Sequence, residues 1–514
     1  MKTRYLLGMG LCTLGIAKLY AQQSRQPHVI LIMTDQQRFD ALRCAGNPAV
    51  YTPNLDRLAE EGNRFFSGYS SCPSSTPARA GLVTGMSPWN HGMLGYGNEA
   101  EHYEHEFPRE MKKLGYYTVG IGKMHWYPQW NTRGLDVLLS DESGREQSPD
   151  YKSDYRKWFA VHAGGLNPDV TGISWNDHRA KTYQLPEELH PTTWTGQTAV
   201  DFIHNYQGEK PLFLKVSFAR PHSPYDPPRR FLDLYENVLP EPPAPALGDW
   251  VPEAWQELKD GESVKDPATG NFGVDFAQNS RRHYYASVTF VDEQIGHIID
   301  ELKAKGMYDN ALIFFVSDHG DMVGDHCMWR KTYAYEGSSH VPFIVKLPKG
   351  QPSDDAPGEV IEGKVVELRD VLPTAIDIAD GEQPEVMDGK SLLPLFADRE
   401  STWRPYLDLE HNSCYIPNSS WCALTDGKMK YIYYYNTGKE QFFDLKADPL
   451  EEKDLMQEKK YRKAIAEFRA AMVRHLSVRG SEWVKDGQLQ IIKGRTLYGP
   501  NFPYEGDPYK RPWI

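Results

Sequence analysis

Cysteine is scarce in this chain: there are six in 514 residues. That excludes a scaffold stapled by disulfides and leaves stability to a buried core. Beyond residue 17 there is no apolar run long enough to cross a bilayer. Positive charge is in deficit: 57 Lys and Arg face 70 Asp and Glu, a formal net charge of -13. A phosphate backbone is therefore not the principal partner, although a local basic pocket can still take an anion. Internal repeats and low-complexity tracts are also missing. What remains is a chain with 40% hydrophobic residues, long enough for two or more domains and a large core.

The N-terminus reads as an export signal. Lys2 and Arg4 precede an apolar run from Leu6 to Ala17, and Leu19-Tyr20-Ala21 offers a cleavage site before Gln22. Residues 1–21 are thus expected to be removed, with the mature protein periplasmic or extracellular. Five cysteines then remain; Cys414 and Cys422 are close enough to bridge a loop, or equally to stay as free buried thiols.

Apolar strands and helices alternate along the chain. His28–Thr34, Tyr117–Ile121, Pro211–Phe218, Ala311–Val316 and His340–Lys346 read as strands. Thr52–Gly62 and His283–Leu302 read as helices. Unbroken apolar strands belong in sheets covered on both faces, so the pattern predicts an α/β core. Two long Pro- and aromatic-rich stretches, 128–191 and 221–279, are expected as irregular pocket walls. From Trp403 the pattern changes to short antiparallel strands with an Asp426-Gly427 turn. An amphipathic helix over 459–476 follows, which predicts a smaller α+β unit.

Polar residues with useful chemistry follow several of these strands: Asp35-Gln36, Lys123 with His125, Arg220 with His222, and Asp318-His319 with Lys331. Open α/β sheets place their sites at that edge. Between the first two lies Ser75-Thr76-Pro77-Ala78-Arg79, then Thr84-Gly85. Thr76 and Pro77 read as N-cap and first helical residue, with Gly85 as the stop. Ser75 then sits at a helix mouth that favours an anion, with Arg79 one turn on.

The Ser-x-Pro-x-Arg…Thr-Gly pattern resembles the signature of the formylglycine sulfatases. Thr34-Asp35-Gln36-Gln37, Gly122-Lys123-Met124-His125, Pro221-His222, Ser317-Asp318-His319-Gly320, Lys331 and His340-Val341-Pro342 stand in the same order as in that family. They are similar to its iduronate-2-sulfatase and choline-sulfatase branches. The resemblance implies an alkaline-phosphatase-like α/β sandwich with a mixed, largely parallel sheet. It implies a C-terminal subdomain as well; the cleavage site and the change of pattern near Trp403 put the catalytic domain at residues 22–402 and that subdomain at 403–514. It also implies oxidation of Ser75 to formylglycine by a maturation enzyme that accepts serine. The metal ligands it implies are Asp35, Gln36, Asp318, His319 and the modified Ser75.

Calcium is the expected ion, with manganese or zinc as alternatives because Gln36 and His319 stand where Asp and Asn are commoner. Arg79, Lys123 and Lys331 are expected to hold sulfate, His222 with Lys331 to protonate the leaving alcohol, and His125 to take a proton. Arg220, His326 and His340 are weaker candidates for touching substrate. The implied activity is hydrolysis of a sulfate monoester, on a sugar of a sulfated glycan. The alternatives are a phosphonate or phosphate monoester hydrolase on the same fold, and an inactive glycan-binding relative.

Overall fold

In the computed structural model, which describes residues 26–145, 148–351, 356–398, 400–494 and 497–503, the first apolar run becomes strand β1 (His28–Asp35) at the centre of a sheet. Its neighbours β5 (Leu212–Pro221) and β6 (Ala311–Ser317) both run parallel to it. Further strands are β2 (Asn63–Tyr69), β3 (Tyr117–Gly122), β4 (Val137–Ser140), β7 (Phe343–Lys346) and β8 (Val360–Glu367). The eight lie in the order β4-β3-β5-β1-β6-β7-β2-β8. Strand β7 is antiparallel to both neighbours, so the sheet is mixed but largely parallel.

Both faces of β1 are covered, which is why it carries no polar residue between His28 and Thr34. Val29, Leu31 and Met33 pack with α2 (Ser75–Thr84) and α5 (Val371–Ile378) on one side. Ile30 and Ile32 pack with α1 (Pro53–Glu61), α3 (Pro191–Asn205) and α4 (Val274–Ala304) on the other. Alternate residues of each strand thus feed two separate cores.

The second unit is a four-stranded antiparallel sheet in the order β12-β11-β10-β9. Its strands are β9 (Leu407–His411), β10 (Trp421–Thr425), β11 (Met429–Tyr434) and β12 (Lys439–Asp444). Gly427 takes φ 82° at the expected turn. One face packs on Ile465, Phe468 and Met472 of α6 (Arg462–Ser477). The other face packs on Tyr69, Met322 and Tyr335 of the larger unit.

Several expectations need correction. Helix α2 begins at Ser75 with Ser74 as its N-cap, not Thr76. Ser74 is extended, and its carbonyl already accepts from Ala78 N at 3.1 Å. Pro77 then falls in the first turn, where a missing N–H costs nothing. The stretch 128–191 is not wholly irregular: it holds β4 and a helix over Asp154–His162. Strands β2 and β8 carry no sustained apolar run, because polar residues and glycine interrupt them, and so leave no strand signal in the sequence. Cys422 is a free thiol, so no bridge joins it to Cys414; Cys44, Cys72 and Cys327 are free thiols as well. The expected export signal lies outside the described residues. Among the described residues, no helix is long and apolar enough to cross a membrane.

Candidate active site

The carboxyl ends of β1, β3, β5 and β6 deliver Asp35, Lys123, His222 and Asp318 to one edge of the sheet, and the N-terminus of α2 delivers Ser75. Gly122 is needed at the end of β3: it takes φ 90°, and a Cβ there would lie 2.2 Å from Ser217 O. That close approach lets Lys123 N donate to Ser217 O at 2.7 Å and aims Lys123 inward.

Ser75 Oγ lies 3.0 Å from His319 Nε2. The other ring nitrogen, Nδ1, is 2.9 Å from Gly320 O and donates to it, so Nε2 carries the lone pair. Asp35, Asp318 and His319 each offer one ligand atom, and these atoms lie within 4.8 Å of one another. Asp35 Oδ1 is buried without a hydrogen-bond partner. Two carboxylates, an imidazole lone pair and an orphaned anionic oxygen in one buried cluster fit a divalent cation.

Positive groups surround these carboxylates. Arg79 bridges them, with Nη2 3.1 Å from Asp35 Oδ2 and Nε 3.0 Å from Asp318 Oδ2. It also donates to Lys123 O and Ser217 Oγ. Lys123 Nζ is 2.5 Å from Asp35 Oδ2. Burial alone would raise the Asp35 pKa, but the Lys123 and Arg79 charges beside it pull it well below the ordinary value. Burial, aided by repulsion from Arg145, pushes Lys123 down to about 8 despite Asp35.

Lys331 Nζ donates to Gln36 Oε1 at 2.6 Å and to His222 Nε2 at 2.7 Å. His222 Nδ1 is 2.8 Å from Ser223 O and donates to it, which leaves Nε2 as the acceptor. Burial, then the Lys331 charge, holds His222 well below its ordinary pKa, and burial brings Lys331 down to about 7. His125 is buried with neither ring nitrogen partnered. Burial, then Arg145 and Lys123, hold it neutral.

The structure therefore gathers Asp35, Gln36, Ser75, Arg79, Lys123, His222, Asp318, His319 and Lys331 into one contact network. The three weaker candidates are engaged elsewhere. Arg220 makes a two-bond pair with Asp226, at 2.7 and 3.0 Å. His326 Nδ1 accepts from Gly248 N, and its ring packs on Trp250. His340 is held by Glu336 and Phe66 O and stacks between Phe39 and Tyr69. The two histidines spend their nitrogens on the fold, whereas Arg220 keeps Nη1 buried without a partner among the described residues.

Sequence reasoning missed several supporting residues. Asp321 accepts from Gln36 Nε2 and Tyr225 Oη, both at 2.5 Å, and so orients Gln36. Its place in Ser-Asp-His-Gly-Asp was a usable signal. Glu142 accepts from Met124 N and His125 N and pins that loop. Ser74 Oγ lies 2.7 Å from His411 Nε2. No local signal marks either of these, because both partners come from distant chain.

A family model described as "Sulfatase" matches residues 27–381. One described as "N-sulphoglucosamine sulphohydrolase, C-terminal" matches 324–477. An arylsulfatase of Clostridium perfringens is 37% identical over 485 residues, covering 91% of this chain and 98% of the relative. A choline-sulfatase of Rhizobium meliloti is 31% identical, covering 83% and 81%. Among solved structures, BT4656 in complex with its substrate D-glucosamine-2-N,6-O-disulfate superposes with TM-score 0.71 at 23% identity, covering 88% of this chain and 98% of that one. A phosphonate monoester hydrolase of Agrobacterium radiobacter has the same TM-score, 0.71, at 24% identity, covering 88% and 95%. At these identities the two structures establish the alkaline-phosphatase-like α/β fold, while the first family model and the arylsulfatase decide membership. The chain belongs to the sulfatase family and is a sulfuric ester hydrolase.

Proposed function

We propose that the protein releases sulfate from a sulfate monoester of a sugar, using an oxidised Ser75 and one divalent cation. The observation that carries this reading is the meeting of Ser75 Oγ, His319 Nε2 and the orphaned Oδ1 of Asp35 in one buried cluster ringed by Arg79, Lys123 and Lys331. Asp35, Asp318 and His319 would hold the cation. Gln36 is the fourth proposed donor, and its Oε1 would have to exchange its bond from Lys331. Two carboxylates favour calcium; the imidazole nitrogen would also serve manganese or zinc. Formylglycine at Ser75 supplies a hydrated aldehyde as nucleophile, and the cation supplies Lewis acidity.

The chain's own residues do the rest. Arg79, Lys123 and Lys331 bind the sulfate oxygens and neutralise the charge that builds up as the ester bond breaks. His222 Nε2 already accepts from Lys331, so the proton destined for the leaving alcohol is stored on Lys331 and relayed at that nitrogen. His125, neutral and with both nitrogens open, takes a proton from the reacting centre. An exported protein matured by a serine-oxidising enzyme fits this reading, as does a division of the chain into 22–402 and 403–514.

The test is sulfate release from a panel of sulfated sugars, beside matched phosphate and phosphonate esters. Sulfate release should dominate, chelation should suppress it, and calcium should restore it best. Dominant phosphonate cleavage would overturn the assignment of substrate, and rescue only by manganese or zinc would overturn that of the ion.

A further inference from the structure

Most guanidinium groups near the site hold a carboxylate: Arg79 holds Asp35 and Asp318, and Arg220 holds Asp226. Among the described residues, Arg330 and Arg145 hold none. Arg330 is 8% exposed, and its Nε and Nη2 are buried with no hydrogen-bond partner. Its guanidinium lies over the Tyr415 ring, 4.7 Å from the centroid. The nearest carboxylate along the loop, Asp321, takes the backbone N–H of Arg330 and spends its other oxygen on Gln36 and Tyr225. Arg145 Nη1 is likewise buried and unpartnered, and its guanidinium lies 5.9 Å from the Trp175 ring centroid.

Both arginines are tied to the walls of the sulfate site. Arg330 directly precedes Lys331, whose Nζ touches His222 and Gln36. Arg145 closes a turn onto Glu142 O at 3.0 Å, and the Glu142 carboxylate grips the backbone of Met124 and His125. Tyr96 stands edge-on to His125, with ring centroids 6.2 Å apart. The Arg145 charge is felt at Lys123, His125, His222 and Lys331, which places it over the same pocket.

A buried guanidinium left without an anion is unfavourable, and a flat aromatic beneath it fixes its plane for two-point contact with a carboxylate or sulfate. Arg79, Lys123 and Lys331 already serve the scissile group, so these two are positive charge in excess of its needs. We propose that Arg145 and Arg330 bind a second anionic group on the substrate, so that the preferred substrates are sugars carrying a sulfate ester and a further carboxylate or sulfate. This rests on the sulfatase reading above.

Matched pairs test it. One pair is N-acetylglucosamine 6-sulfate against glucosamine-2-N,6-O-disulfate, which adds a sulfate. The other is methyl glucoside 2-sulfate against methyl glucuronoside 2-sulfate, which adds a carboxylate. With enzyme whose Ser75 is confirmed as oxidised, kcat/KM for the anionic member of at least one pair should exceed its partner by ten-fold or more. Arg145→Gln and Arg330→Gln should each shrink that ratio by ten-fold or more, through KM rather than kcat, with the Lys variants retaining part of it. Melting temperatures identify a variant that has merely lost its fold; the wild-type ratios alone then decide. Equal treatment of the two members of both pairs, or loss by the same factor on both, overturns the proposal. Failure of the wild type to release sulfate from any member or from 4-nitrophenyl sulfate overturns the sulfatase reading instead.

Discussion

At the level of single residues, the pairing of Lys331 with His222 makes the most specific demand. Burial brings the Lys331 pKa to about 7, so its proton is lost as pH rises through that value. A lysine acting as the proton store therefore predicts that kcat/KM for sugars with poor leaving alcohols falls above about pH 7. His222→Ala should slow such substrates far more than aryl sulfates, whose leaving groups need little protonation. An equal loss on both classes in a leaving-group series would remove His222 from that role. Legibility at this scale followed position. Asp35, Ser75 and Asp318 are readable because each ends or follows a strand or opens a helix, whereas Lys331, in a loop well past β6, is readable only through the family resemblance. Asp321 directly follows the Ser317–Gly320 run, close enough to be read with it. Arg145 and Arg330 had no local mark, because what distinguishes them is the absence of a partner, which only the folded chain reveals. His326 and His340 carried the right chemistry in the right neighbourhood, but their nitrogens are spent on backbone and Glu336.

At the level of elements, α2 is the piece on which the site depends. Leu82 is fully buried against the β1 face of the core. Leu82→Ala should cost about 2–5 kcal/mol in denaturant unfolding, the usual range for a buried leucine. Its N-terminal turn is braced from the second sheet by His411 on Ser74 and by Glu410 N on Ser71 O at 2.8 Å. His411→Ala should lower kcat about ten-fold or more while leaving the melting temperature within a few degrees, since positioning a nucleophile is more sensitive than stability to small displacements. Unchanged kcat would show that the brace is unnecessary. The apolar strands and long helices were legible because periodicity and length survive without tertiary context. The start of α2 was misplaced because Ser74 directs its hydroxyl to a histidine far along the chain instead of capping its own helix.

For the whole molecule, two units meet along buried ion pairs. Arg369 holds Asp408 of β9, and Lys430 of β11 holds Glu336. Burial opposes ionisation of Asp408, but Arg369, then His475, hold it well below the usual carboxylate range. A lowered folded pKa gives stability that is complete above the unfolded value of about 4 and disappears as pH falls toward the folded one. Asp408→Asn should therefore destabilise the protein by about 3 kcal/mol at neutral pH. The gap from wild type should close on acidification below about pH 4. A gap independent of pH would assign the loss to packing. The change of pattern near Trp403 announced the second unit, yet nothing local told that its sheet reaches back to support the turn bearing Ser75.

All of these roles presume an oxidised Ser75. The most direct measurement is the mass of the peptide spanning Ser75 in protein made with and without a serine-oxidising maturation enzyme, with sulfate release followed on the same samples. The account predicts a peptide lighter by two hydrogen atoms in the first, and activity proportional to the fraction converted. Full activity in protein whose Ser75 remains serine would contradict it.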